Sequence, residues 1–114
     1  MALLFLFSIA VYLYPISNNG NDVLKMGNNE LRAKIDAYYK SGDIVSEQVY
    51  KNLLEKLDQV EKAVNEKNSE KVVDFLHDLL RYVSENKGKL ISYRAAEDLQ
   101  PLINNLIFNV AKHL

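Results

Sequence analysis

The sequence predicts an all-α protein, a compact antiparallel bundle of four helices preceded by a hydrophobic N-terminal segment. Three observations carry that expectation. From residue 28 onward apolar residues recur at steps of three and four in four successive stretches, the spacing that gathers them on one helix face. Each stretch is bounded by Ser, Asn, Asp or Gly, which cap helices or admit left-handed backbone at their ends. No strand-like alternation follows residue 22.

The chain opens MALLFLFSIAVYLYPISNNG, and every charged side chain lies at Asp22 or later. From Ala2 to Tyr14 the one polar interruption is Ser8. Thirteen residues in a helix reach roughly 20 Å against about 30 Å of hydrocarbon, short for a span but suited to the apolar centre of a signal peptide. Two features argue against a standard signal: no Lys or Arg precedes the run, and the bulky YLYPIS follows it in place of a small-x-small site. Read to Ile16 as an uncleaved anchor, the segment sets Tyr12 and Tyr14 at headgroup level. Residues 1–16 are therefore expected to be a signal or anchor. A strand or helix packed on the bundle is the alternative, because FSIAVYLY is rich in β-branched and aromatic residues. A third reading sets Met1 inside a longer signal.

Residues 17–28, SNNGNDVLKMGN, are dense in turn formers and read as a linker with one loose turn around Val23 to Met26. The bundle domain is then 29–114. Its first helix starts at Asn28 or Asn29, either of which can cap free N–H groups, with Glu30 in the first turn. Leu31, Ile35, Tyr38 and Tyr39 share a face, and Gly42 in KSGD ends the helix. Ser46 caps the second helix, whose stripe is Val49, Leu53, Leu57, Val60 and Val64, widened by Tyr50 and Leu54. The third opens at Asn68 or Ser69, carries Val72, Leu76, Leu79, Leu80 and Val83 with Phe75 at the flank, and closes at ENKGK. Ser92 caps the fourth, which has Ala95, Ala96, Leu99, Leu102, Ile103, Leu106, Ile107 and Val110 in phase. Pro101 falls within it and predicts a kink rather than an end, since the period resumes at Leu102.

At 114 residues there is room for one domain, and without its apolar head about 90 residues can build a small bundle but not a large pocket. Fourteen Lys and Arg against fifteen Asp and Glu give a net charge of −1, with no basic block or stripe, so nucleic acid is not an expected partner. The absence of cysteine excludes disulfides, thiolate metal sites and a Cys nucleophile. It does not settle the compartment.

With these helices placed, the chain resembles a FIMAH domain, a small helical module of secreted and surface-associated proteins of Bacillus-type, Gram-positive bacteria. LRAKIDAYYKSGDIVSEQVYKNLLEKLDQVEKAV is similar to the family's opening helix pair around a Ser-Gly-Asp/Glu turn. NSEKVVDFLHDLLRYVSENKGKLIS resembles its third helix and Gly-Lys exit, and AAEDLQPLINNLI its closing helix. The resemblance covers about residues 30–107. Val60 and Val72, where alanine is usual, and Pro101 depart from it. It implies an extracytoplasmic setting, often at the tail of an enzyme, and carries over no catalytic residue or ligand.

Little chemistry shows in the residues themselves. His77 between Asp74 and Asp78 could suggest half a metal site, but no second His is near in sequence and His113 lies at the C-terminal end. Asp74, Asp78 and Arg81 are better read as surface pairs on the polar side of their helix. Ser41, Ser46, Ser69 and Ser92 read as turn formers and caps rather than nucleophiles. SNNGND has one acid and lacks the closing Glu of a calcium loop. No cofactor, metal or catalytic set is expected, and the protein is read as not an enzyme.

Tyrosine is the unusual feature. Tyr38, Tyr39, Tyr50, Tyr82 and Tyr93 fall near helix ends or stripe margins. Such rings bury apolar area while the hydroxyl stays wet, which suits the rim of a small core and equally a surface for protein or sugar. A contiguous exposed patch of them would mark a partner site. The expected function is a non-catalytic extracytoplasmic accessory module that engages cell-envelope polysaccharide or a protein through a shallow surface. It would be extracellular or anchored on the outer side of a membrane through residues 2–16 if uncleaved. The rival reading is a cytoplasmic structural or regulatory protein that self-associates through apolar helix faces.

Overall fold

The structure, a computed structural model, describes residues 20–113. The apolar segment 1–16 and the first residues of the expected linker lie outside the described residues. Four helices run α1 Gly20–Ser41, α2 Glu47–Asn65, α3 Ser69–Asn86 and α4 Tyr93–His113. The connections between them are short, 42–46, 66–68 and 87–92, so successive helices run antiparallel. Each helix packs on two others in a closed square, with α1 touching both α2 and α4.

The caps are where the sequence puts them. Ser46 accepts a hydrogen bond from the Val49 N–H at 3.1 Å, Asn68 from Lys71 at 3.1 Å and Ser92 from Ala95 at 3.0 Å. Gly42 and Gly88 take positive φ, 89° and 76°, at the ends of α1 and α3. The remaining turn uses no glycine: Lys67 adopts φ 56°, its N–H bonds the Val64 carbonyl and the Asn68 N–H bonds Ala63. α4 continues through exposed Pro101, which withholds a donor from the Glu97 carbonyl without ending the helix.

The core is a single apolar cluster. Leu31 and Ile35, the α2 stripe, Val72, Leu76, Leu79 and Val83, and Ala95, Ala96, Leu99, Ile103, Leu106 and Val110 are all buried in it. Leu54, Phe75, Leu80, Leu102 and Ile107 lie half-buried at its margins with four of the tyrosines. Two further core residues belong to loops. Ile44 and Ile91 are buried side by side across an isolated antiparallel bridge and plug one end of the bundle.

One expectation is corrected. Helix α1 begins at Gly20 rather than at Asn28 or Asn29, so the described part of the expected linker is helical. The reason lies in packing: Leu24, Asn28, Leu31 and Ile35 follow steps of four, three and four, and all four are buried. Asn28 is thus an interior helix residue rather than a cap. Its side-chain N–H donates across to the Leu57 carbonyl on α2 at 3.2 Å. Turn-forming composition was overridden because burying Leu24 against the bundle outweighs the modest helix propensity lost at Asn and Gly.

Candidate functional site

The C-terminal ends of α1 and α3 and the N-terminal ends of α2 and α4 meet at one end of the bundle, where loops 42–46 and 87–92 cross. Both loops follow one pattern, Gly42-Asp-Ile-Val-Ser46 and Gly88-Lys-Leu-Ile-Ser92. A left-handed glycine leaves one helix, two apolar residues follow, and a serine caps the next helix. In each loop one isoleucine turns inward, and its apolar neighbour, Val45 or Leu90, faces solvent.

Asp43 ties the loops together. Its carboxylate accepts hydrogen bonds from the Ser41 hydroxyl at 2.5 Å, the Ser92 hydroxyl at 2.7 Å and the Arg94 guanidinium at 2.6 Å. Those three donors, Ser41 foremost, hold its pKa down at about 2. Its backbone joins as well. The Asp43 carbonyl accepts from the Ser92 N–H at 2.9 Å, and the Leu90 carbonyl accepts from the Val45 N–H at 3.1 Å. Ser92 therefore caps α4 with one lone pair while its proton goes to Asp43, a second role that spacing alone does not reveal.

All five sequence-selected tyrosines lie around this end, each beside a helix seam. Tyr38, between α1 and α4, donates to Asp98 at 2.6 Å, and Lys34 pairs with the same carboxylate at 3.0 Å. The Tyr38 hydrogen bond, with Lys34 second, lowers the Asp98 pKa, and that same bond raises the pKa of Tyr38. The Arg94 guanidinium stands 5.5 Å from the Tyr38 ring centre and connects this seam to the Asp43 clasp. Tyr39 and Tyr50 stack between α1 and α2, with centroids 4.1 Å apart and planes 6° from parallel, and the Tyr50 hydroxyl donates to Asp36. Between α2 and α3, Tyr82 accepts from Asn52 at 2.9 Å and carries Lys56 5.0 Å from its ring centre. Tyr93 lies over Gly88, where an added Cβ would come within 2.6 Å of the ring, and is 64% exposed.

The structure thus brings only Tyr39 and Tyr50 of the five into ring contact. Tyr38, Tyr39, Tyr50 and Tyr82 are half-buried and pack on the core, so the five form a girdle round the bundle end rather than one open face. The exposed apolar side chains at this end are instead Val45, Leu90 and Tyr93. Sequence periodicity misses Val45 and Leu90 because loop residues have no helical phase. The repeated Gly-x-apolar-apolar-Ser spacing is the signal that could have found them.

Elsewhere, His77 is exposed, and Asp78 pairs with Lys56 at 2.7 Å and Arg81 at 2.7 Å. The Lys56 hydrogen bond chiefly lowers the Asp78 pKa, making it a strut between α2 and α3. Among the described residues no group of His, Asp and Glu is placed to hold a metal ion, and no helix is long and apolar enough to cross a membrane.

No curated protein and no solved structure matches the chain. The sequence pattern of the FIMAH domain matches residues 29–108, reaching all four helices and ending within α4. With that match over most of the 114 residues, and with the four-helix bundle it covers, the chain belongs to the FIMAH domain family.

Proposed function

We propose that the chain is a non-catalytic accessory module that works outside the cytoplasm, delivered or anchored by residues 2–16, and that its working face is the clasped loop end. The observation that carries the choice of face is the exposed trio Val45, Leu90 and Tyr93 on a frame fixed by Asp43, while the location rests on the uncharged run 2–14 of the sequence. Apolar side chains held out on short, bridged loops lose little entropy on binding, which favours a shallow contact over a deep pocket. Two aliphatic side chains beside one ring favour a protein partner over a sugar, which calls for stacked aromatic platforms. Lys89 is exposed beside the patch, and the Arg94 charge there is balanced by Asp43.

Fractionating cells that express the full chain with a C-terminal reporter tests the location. Reporter in the envelope or medium supports it, whereas soluble cytoplasmic reporter shifts the reading to a self-associating cytoplasmic protein. Pull-down with purified cell wall and with surface proteins, comparing the full chain with its Val45→Ser/Leu90→Ser variant, tests the face. Loss of protein capture in the variant is expected. Retention on cell wall that the variant leaves unchanged would place the ligand elsewhere and identify it as polymer.

A further inference from the structure

The side of the bundle formed by α1 and α4 differs from the others in charge. From Leu99 to Ala111 no residue of α4 is charged, although 25% of the whole chain is. In that stretch Pro101, Asn104, Asn105, Phe108 and Ala111 face solvent. The outer faces of α2 and α3 are of the ordinary kind, with Lys51, Glu55 and Asp58 exposed on one and Lys71, Asp74 and Arg81 on the other. Apart from the loop-end trio, the exposed large apolar side chains among the described residues are Met26 at 71% and Phe108 at 63%. Depletion of charge with Met and aromatic side chains in its place is the compositional mark of an interface core.

Beside Met26 runs an open groove of about 690 Å³, walled by Val23 and Gly27 on α1 and by Leu102, Asn105 and Leu106 on α4. Phe108 follows one turn after Asn105. A projecting, unbranched Met next to an apolar hollow is self-complementary, because in a two-fold pair each copy seats its Met26 in the other's groove.

Charge selects the direction of such a pair. Lys25 and Glu30 flank Met26 and Asn29 on α1, both exposed and without an ion pair among the described residues. Two α1 helices run antiparallel about the level midway between them set Lys25 of each copy opposite Glu30 of the other. That level falls beside Gly27, where Leu106 meets α1, and Asn105 next to Leu106 is the midpoint of the uncharged run. One axis therefore centres 99–111 on itself and lays Phe108 against Pro101 and Asn104 of the second copy, with no charge to desolvate. A parallel pair instead sets Glu30 against the uncharged run, where it finds no opposite charge.

We infer that this side is an interface with a second copy of the chain, an antiparallel two-fold dimer closed by Met26 and Phe108. At about 20 Å long and two helices wide, the face is on the order of 400 Å² per copy, roughly half of a standard interface, so the dimer is a weak one with a dissociation constant of about 10–100 μM. Its antiparallel build points the two clasped loop ends apart and leaves Val45, Leu90 and Tyr93 of both copies open. The pairing does not depend on the proposed location or partner, because it is a property of the isolated chain in buffer.

The chain has no cysteine, so a single introduced thiol reports pairing. The full chain is prepared as Asn105→Cys, close to the axis, and as His77→Cys, exposed on α3, and each is treated with a mild oxidant at about 100 μM. Asn105→Cys is expected to form a disulfide-linked dimer about tenfold or more faster than His77→Cys. Adding Phe108→Asp, at an exposed position, should remove that advantage while leaving the helical signal unchanged. Lys25→Glu and Glu30→Lys should each slow the Asn105→Cys cross-link, and both reversals in one chain should restore it. Equal rates for the two thiols overturn the pairing, as does a cross-link that persists with Phe108→Asp. So does one that forms only on lipid vesicles, which would assign the face to a bilayer. A double reversal no faster than the single ones overturns the antiparallel arrangement.

Discussion

Lys67 is the one non-glycine residue with positive φ among the described residues, and it closes α2 in a conformation that costs an L-residue energy. Glycine at that place keeps both closing hydrogen bonds and removes the Cβ clash, so Lys67→Gly should stabilise the bundle by about 0.5–1 kcal/mol, read by chemical denaturation. Asp43 makes the opposite kind of contribution. Its folded pKa of about 2 lies below the ordinary 3.8, so the native state holds its ionised form more tightly than the unfolded chain does. That stability is complete above the ordinary value and is lost as pH falls from 3.8 through about 2. Asp98 and Asp78, also lowered, act in the same direction. Urea midpoints measured across this acid range should fall less steeply for Asp43→Asn than for the parent chain. An identical slope would mean that Asp43 keeps its donors in the unfolded chain or never gains them.

At the level of helices, α1 and α4 approach closely where Gly27 meets Leu106. A β-branched side chain at Gly27 must displace Leu106 or part the helices, and overpacking of this kind costs about 1–3 kcal/mol. Gly27→Val should therefore lower the denaturation midpoint, and Leu106→Ala in the same chain should recover part of the loss, a non-additivity expected for contacting residues. The sequence made α2, α3 and α4 legible, because Ser46, Asn68 and Ser92 are caps with unbroken leucine and valine phases behind them. It misled at the start of α1. Asn28 and Gly27 look like a boundary by propensity, and only contact with Leu57 and Leu106 makes them interior. Ile44 and Ile91 were out of reach for a related reason: each is a single loop residue, and its burial depends on the other loop lying across it. The tyrosines were found as a group, but whether a girdle or an open face results is decided by the seam each one occupies, which periodicity within one helix does not specify.

Across the whole molecule the two ends differ. One is closed by inward isoleucines, an Asp43-centred clasp and four anchored tyrosines, and it holds Val45, Leu90 and Tyr93 outward. The other is built by turns added before the family module and leaves an apolar groove beside Met26. A bundle of this size has little core to spare, so a rigid presenting end must draw its rigidity from polar ties between loops rather than from more apolar burial. The proposed working face requires those loops to move as one unit with the helices. Residue-resolved amide hydrogen exchange of the full chain tests this most directly. The Val45 and Ser92 N–H groups, bonded to Leu90 and Asp43, should exchange at the rate of core amides such as those of Leu53 and Leu79, and Asp43→Ala should release both together. Exchange of Val45 and Ser92 at rates typical of open loops, while the helices stay protected, would contradict the account.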